Sequence, residues 1–307
     1  MIASISLDLD NQWSYMKTHG DAGWETFPSY LPLVVPRVLN LLKEIDLTIT
    51  FFVVGQDAER SENAEALRSI ADAGHEIGNH SFHHEPWLHL YSREEIVREF
   101  ERSEKAIEGV TGQRTLGFRG PGFSYSETVL QVLAERGYLY DASTFPTFLG
   151  PIARAYYFLH SGLGKKEKDQ RKQLFGSWNA GFQRLRPFRW HRSNNQNQPL
   201  IEIPVTTMPW LKVPIHLSYV MYLATFSPWV AKRYFYQAMR FCWLNCVQPS
   251  LLLHPLDFMG CDDLKELAFF PGMSLESKPK VDIARETLGW MARSFECLTM
   301  KQHASRV

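Results

Sequence analysis

Cysteine is scarce in this chain, and neither sign of charge is in excess. The four cysteines, Cys242, Cys246, Cys261 and Cys297, fall in the last quarter of 307 residues without the C-x-x-C spacing of a zinc knuckle. Cys242 and Cys246, four apart, are most simply core positions on one helix face. The 33 basic and 33 acidic side chains cancel, so overall charge offers nothing to nucleic acid. No Gly-rich phosphate loop follows a strand-like run, which leaves a nucleotide site without support. The first residues run straight into a strand, with neither a basic n-region nor an apolar h-region before a cleavage site, and the expectation is a cytoplasmic chain. Residues 213–231 hold no Lys, Arg, Asp or Glu and approach the ~20 residues of a membrane span. Pro214, His216, Ser218, Thr225, Ser227 and Pro228 make that span a poor one. Tyr219, Tyr222, Phe226 and Trp229 better suit an aromatic cover or an interfacial contact.

Histidine, by contrast, is concentrated: four of the eleven stand within ten residues, at His75, His80, His83 and His84. His80 and His84 are four apart, so one helical turn or a tight loop can aim both imidazoles at one point, and a neutral imidazole is the commonest metal ligand. Alone, H-x-x-x-H is more often a pair of ordinary side chains than a metal site. The first strand supplies what is missing. Ile5, Leu7 and Leu9 alternate with Ser6, Asp8 and Asp10, which puts two carboxylates on one face. Two imidazoles, one carboxylate and an open position make the donor set of a hydrolytic metal site.

Along the chain, strand and helix signals alternate. A polar and aromatic segment with Trp13, Tyr15, His19 and Trp24 is too irregular for a long element and could wall a cleft. Leu33, Val38, Leu41, Leu42 and Ile45 recur at helical spacing, 47–54 is a β-branched and aromatic run, and 63–73 reads as a helix stopped at Gly74. Ser92 and Glu95 form a capping box for a helix to about 110. Strands are expected at 116–118, 138–140, 200–205 and 250–253, with helices capped by Ser126, over 228–246 and over 280–297. Repeated βα units imply a parallel sheet with helices outside, and about seven strands suit a closed or nearly closed barrel. The polar residues Asp8, Asp10, His80, His84, Arg119, Asp141 and His254 all fall at strand ends, where such barrels gather their chemistry. Between 148 and 199 the alternation fails. Lys165, Lys166, Lys168, Arg171, Lys172, Arg184, Arg186, Arg189 and Arg192 face only Glu167 and Asp169 there, a solvated insertion or a basic, aromatic surface for an anionic substrate or a membrane face.

On these residues the chain resembles the polysaccharide deacetylases that share the NodB homology domain (carbohydrate esterase family 4), a distorted (β/α)7-type barrel. Their H-[ST]-x-x-H motif stands here as His80-Ser81-Phe82-His83-His84. The first motif stands as Asp8-Leu9-Asp10-Asn11, resembling the D-x-D form of intracellular and lipid-sugar branches. The resemblance implies Asp8 as base and Asp10 as ligand with His80 and His84; aligning an adjacent pair instead puts the base at Asp10 and the ligand at Asn11. Arg119-Gly120-Pro121-Gly122-Phe123 is similar to R-x-P-aromatic, with an added Gly. It implies that Arg119 holds the base ionised, that the Gly122 N–H is the oxyanion donor, and that Pro121 and Phe123 line the substrate. Asp141-Ala142-Ser143-Thr144-Phe145 and Leu252-Leu253-His254 complete the set, implying His254 as general acid and Asp141 as its tuning partner.

The likeness implies a single deacetylase domain over 1–307, with 148–199 inserted. It implies a hydrolase that removes an N-acyl group, most simply N-acetyl, from an amino sugar of a polysaccharide or glycan precursor. One divalent cation would assist, zinc first, with cobalt, nickel or manganese compatible with the same donors. The other readings are deacetylation or deformylation of a lipid-linked amino sugar at the inner membrane face, a metal-free ureide or imide hydrolase, against which the His80 and His84 pair argues, and a catalytically silent glycan-binding barrel.

Overall fold

The protein is described from a computed structural model over residues 1–149, 178–190 and 199–307. Lys165, Lys166, Lys168, Arg171, Lys172 and Arg192 of the basic insertion, with Glu167 and Asp169, lie outside these residues.

One curled sheet organises the fold. Its strands are β1 (Ile2–Leu9), β2 (Thr50–Val53), β3 (Glu76–Asn79), β4 (Gly117–Phe118), β5 (Tyr140–Asp141), β6 (Phe188–Arg189), β7 (Ile201–Glu202), β8 (Ser250–Leu253) and β9 (Glu296–Leu298). They lie in the order β6-β7-β5-β4-β3-β2-β1-β8, with β9 also on β1. Every pair is parallel except β6 with β7. Just past β7 the Thr206 N–H donates to the Ser250 carbonyl (3.0 Å), and Thr206 Oγ1 accepts the Ser250 N–H (2.7 Å). The run after β7 therefore reaches β8, and the sheet curls into a nearly closed barrel wrapped by helices, as the alternation of elements predicts.

Register explains why the polar residues meet. Leu9, Val53, Asn79, Phe118, Asp141 and Glu202 are paired in succession along one row. Asp10, His80 and Arg119 each stand one residue beyond that row. Below it, Leu7, Phe51, Ile77 and Leu253 are buried against the inner faces of helices such as Leu31–Glu44 and Pro228–Leu244.

Several expectations need correction. The segment expected to hold no long element carries the short helix Gln12–His19. Gln12, Trp13, Ser14 and Met16 are all buried there, so burial on several sides erases the apolar period. The last long helix is Ser277–Ser294, and the residues beyond it form β9 and the helix Met300–Ala304. Cys246 is not a core position. Its helix ends at Leu244, and Cys246 follows exposed at φ 51°, whereas Cys242 is buried. Residues 213–231 divide between the helix Leu217–Ala224 and the start of Pro228–Leu244. Among the described residues no helix is long and apolar enough to cross a membrane.

Candidate active site

The rim of the barrel is built from chain turns that leave β1, β3, β4 and β8. After β3 the backbone turns tightly, with positive φ at Ser81 (62°) and His84 (53°), and this double bend rather than a helical turn brings the two imidazoles to one side. Glu99, on the helix Arg93–Thr111, holds the bend: its Oε1 accepts the Phe82 and His83 N–H groups at 2.9 and 2.7 Å, and its Oε2 lies 2.7 Å from His83 Nδ1. Nothing in the local sequence announces Glu99 as part of this turn.

Asp10 Oδ1 stands 2.9 Å from His84 Nε2 and 3.4 Å from His80 Nε2. The three donor atoms lie within 4.8 Å of one another, and all three residues are buried. The His80 Nδ1–H donates to the Arg119 carbonyl at 2.6 Å, which leaves the Nε2 lone pair facing Asp10. Asp10 Oδ1 is buried without a hydrogen-bond donor. A lone pair set against an unsatisfied carboxylate oxygen is repulsive unless a cation or proton lies between them, so the donor set fits a divalent metal. Without a cation, protonated imidazoles take its place: burial opposes ionisation of Asp10, but positive charge on His84 and His80 outweighs it and holds its carboxyl well below the ordinary range. Asn11 is not part of this group. Its Nδ2 donates to Asp57 and Ser29, and its Oδ1 caps the helix Gln12–His19.

Asp8 lies beside the cluster, with Oδ2 3.9 Å from His80 Nε2. Its Oδ1 takes a 2.7 Å bond from Arg119 Nη1, which also donates to Ser6 Oγ at 2.8 Å, while Arg119 Nε donates to the Ala142 carbonyl at 3.0 Å. The guanidinium stacks 4.4 Å over the Phe52 ring. Gly122 (φ 59°) and Phe123 (φ 62°) turn the next loop back. A Cβ at Gly122 would come 3.1 Å from Pro86, so this loop lies directly against the one carrying His84. Phe123 packs on Phe145 (4.7 Å between ring centroids), Phe145 on His216 (5.8 Å) and His216 on His254 (6.3 Å). This aromatic wall links the Pro121 loop to the end of β8.

At that end His254 Nδ1 bonds Ser218 Oγ at 2.9 Å, and the His254 N–H donates to Asp257 Oδ2 at 2.8 Å. Asp141 is not among its partners. Asp141 Oδ1 accepts from Ser143 Oγ at 2.6 Å, and Ser143 Oγ accepts the Gly120 N–H at 2.8 Å. Asp141 is also paired across the sheet with Glu202, whose Oε1 accepts both the Thr144 N–H (3.0 Å) and its hydroxyl (2.6 Å). Burial pushes the Glu202 carboxyl well up, and the neighbouring Asp141 charge adds to it. Glu202, Asp257, Ser218 and His216 were all missed from sequence, because their partners lie on other strands or helices.

Residues 17–140 match the family model for polysaccharide deacetylases. Over that stretch the chain is similar to the polysaccharide deacetylases. That match takes in His80, His84, Arg119 and the Pro121 loop; Asp8, Asp10, Asp141 and His254 lie outside it. Among curated proteins, the peptidoglycan deacetylase of Helicobacter pylori is 34% identical over 110 residues, 36% of each chain. The peptidoglycan-N-acetylmuramic acid deacetylase of Bacillus subtilis is 36% identical over 104 residues, 34% of this chain and 38% of that protein. The matched segments thus span well under half of these relatives. A Mycobacterium smegmatis protein provisionally assigned to the polysaccharide deacetylases superposes over 100% of this chain and 89% of its own, with a TM-score of 0.63 at 21% identity, and so shares the fold. The curled parallel sheet and its helices therefore share the fold of that protein along the whole chain.

Proposed function

We propose that the chain is a metal-dependent hydrolase that removes the N-acetyl group from an amino sugar of a polysaccharide or glycan precursor. The observation that carries this reading is the buried convergence of Asp10, His80 and His84 beside the Arg119–Asp8 pair, in a chain similar to the polysaccharide deacetylases over residues 17–140. Bound by these three side chains, a divalent cation such as zinc would supply Lewis-acid polarisation and ease the ionisation of water.

The chain's own groups take the remaining roles. Arg119 pins one oxygen of Asp8 at 2.7 Å, leaving the other to accept a proton from water as it attacks the acyl carbon. The Gly122 N–H, on the loop against Pro86, is the oxyanion donor; a preorganised donor of this kind contributes about 3–4 kcal/mol to the barrier reduction. His254 gives a proton to the departing amine, with Ser218 fixing Nδ1 so that Nε2 faces the substrate. Asp141 acts at one remove, through Ser143, by holding the Gly120 N–H and hence the loop that carries Gly122. The aromatic wall of Phe123, Phe145 and His216 gives a sugar ring a flat face on which to lie.

The test is metal content and acetate release measured together on the purified chain. Wild type should bind about one zinc per chain and release acetate from N-acetylated amino-sugar oligomers, and His84→Ala should lose both. Full acetate release by the chelated protein or by His84→Ala would overturn the proposal.

A further inference from the structure

The helix Pro228–Leu244 buries one face in the core through Ala231, Phe235, Ala238, Met239 and Cys242. Its opposite face should then be polar. It is not. Trp229, Val230, Arg233, Arg240, Phe241 and Leu244 are all exposed and recur with helical period, Trp229 at 67% and Leu244 at 68%. The strip continues at both ends, through Phe226 before the helix and through Trp210 (81% exposed) after it, where Trp210 Nε1 bonds Asn245 Oδ1 at 2.6 Å. A cavity of about 590 Å³ at that second end is lined by Arg184, Arg186 and Lys212 together with Trp210.

Charge identifies what covers this surface. Among the described residues between 178 and 256 there are seven Lys and Arg and a single carboxylate, Glu202, which is fully buried. Glu286 flanks the helix from outside that stretch, and it is occupied by Lys232 and Tyr236. A second copy of the chain laid on the same face would set arginines against arginines. A single convex helix also offers a partner protein no groove. Tryptophans at both ends, aliphatic and aromatic side chains between them and cations throughout are what lies flat in the headgroup layer of a bilayer with anionic lipids. At 17 residues the helix is about 25 Å long, enough to rest along the surface.

We infer that the exposed face of Pro228–Leu244, extended by Phe226 and Trp210, is a docking surface for anionic membranes. It adjoins the cleft, since the helix packed against it, Leu217–Ala224, carries the Ser218 that holds His254. Docking would therefore bring the cleft to the bilayer. The inference rests on the surface alone and not on the proposed reaction.

Vesicle co-sedimentation without substrate tests it. Wild type should bind vesicles of phosphatidylcholine with 30% phosphatidylglycerol and lose that binding in 0.5 M salt or on phosphatidylcholine alone. Trp229→Ser with Phe241→Ser should weaken binding to the anionic vesicles at least tenfold at unchanged circular dichroism, and Arg233→Gln with Arg240→Gln should do so to a similar extent. Absence of binding to anionic vesicles, or binding that all four substitutions leave intact, would overturn the inference. So would a dimer in solution that Trp229→Ser turns into monomer. A chain that binds vesicles but releases no acetate would refute the proposed reaction and leave this surface standing.

Discussion

Replacing Arg119 by methionine isolates the ion pair on which the site rests. The guanidinium is 1% exposed and its partner Asp8 6%, so water can replace neither group. Its loss leaves Asp8 Oδ1, Ser6 Oγ and the Ala142 carbonyl without the donor they share, while methionine keeps much of the volume over Phe52. Removing one partner of a buried, hydrogen-bonded pair costs about 3–5 kcal/mol, because the remaining charge stays buried. The exposed Arg102–Glu59 pair is the control, since Arg102→Met should cost only about 0–1 kcal/mol. Adding Asp8→Asn to Arg119→Met removes the stranded charge and should recover about 1–3 kcal/mol, which appears as coupling in a double-mutant cycle. The assay is urea unfolding at pH 7 followed by circular dichroism, with an unchanged slope as the check on cooperativity. An Arg119→Met chain within about 1 kcal/mol of wild type, or a double variant no more stable than Arg119→Met alone, would refute the reasoning.

Other outcomes follow from the same geometry. Burial beside Asp141 pushes the Glu202 carboxyl well up, so Glu202→Gln should cost under about 1.5 kcal/mol in urea unfolding, whereas Glu202→Ala, which orphans the Thr144 donors, should cost about 2–3 kcal/mol; equal losses would contradict this reading of the site. Gly120→Ala should abolish acetate release, because its Cβ would fall 1.9 Å from the Ser124 carbonyl oxygen and force the Pro121 loop to move; wild-type turnover in this variant would show the loop position to be unimportant. His303, between Ser4 and Gln248, and His75 are both pushed down by burial to about 4 from 6.5. The unfolded chain therefore takes up those protons first, so the stability they contribute is complete above pH 6.5 and is lost as pH falls through 4. His303→Gln should flatten the melting-temperature profile across that window; a slope identical to wild type would show that His303 is not a source of the acid sensitivity.

Strand ends were legible because the chain writes them locally. Asp8, Asp10, His80, Arg119 and His254 each follow an apolar run, and parallel pairing in register then sets Asp10, His80 and Arg119 just past one row. Helix starts with a capping serine, at Ser92 and Ser126, were equally plain. What stayed hidden was long-range. Glu99 is sixteen residues from His83, and Asp141 meets Glu202 only because β5 and β7 are neighbours. The assignment of Asp141 as partner of His254 could not have been corrected from sequence. Ser218 and Asp257 take that place because the helix Leu217–Ala224 and the turn after β8 pack together. The exposed face of Pro228–Leu244 was hidden for a different reason, since apolar residues on both sides of a helix do not say which side is buried.

The most direct measurement is acetate release from N-acetylated amino-sugar oligomers by the zinc-loaded chain and by its Asp10→Asn variant, with bound zinc determined on the same samples. The account predicts that wild type holds zinc and releases acetate, and that Asp10→Asn, folded to the same circular dichroism, loses most of both. Acetate release that persists in an Asp10→Asn chain free of zinc would contradict it.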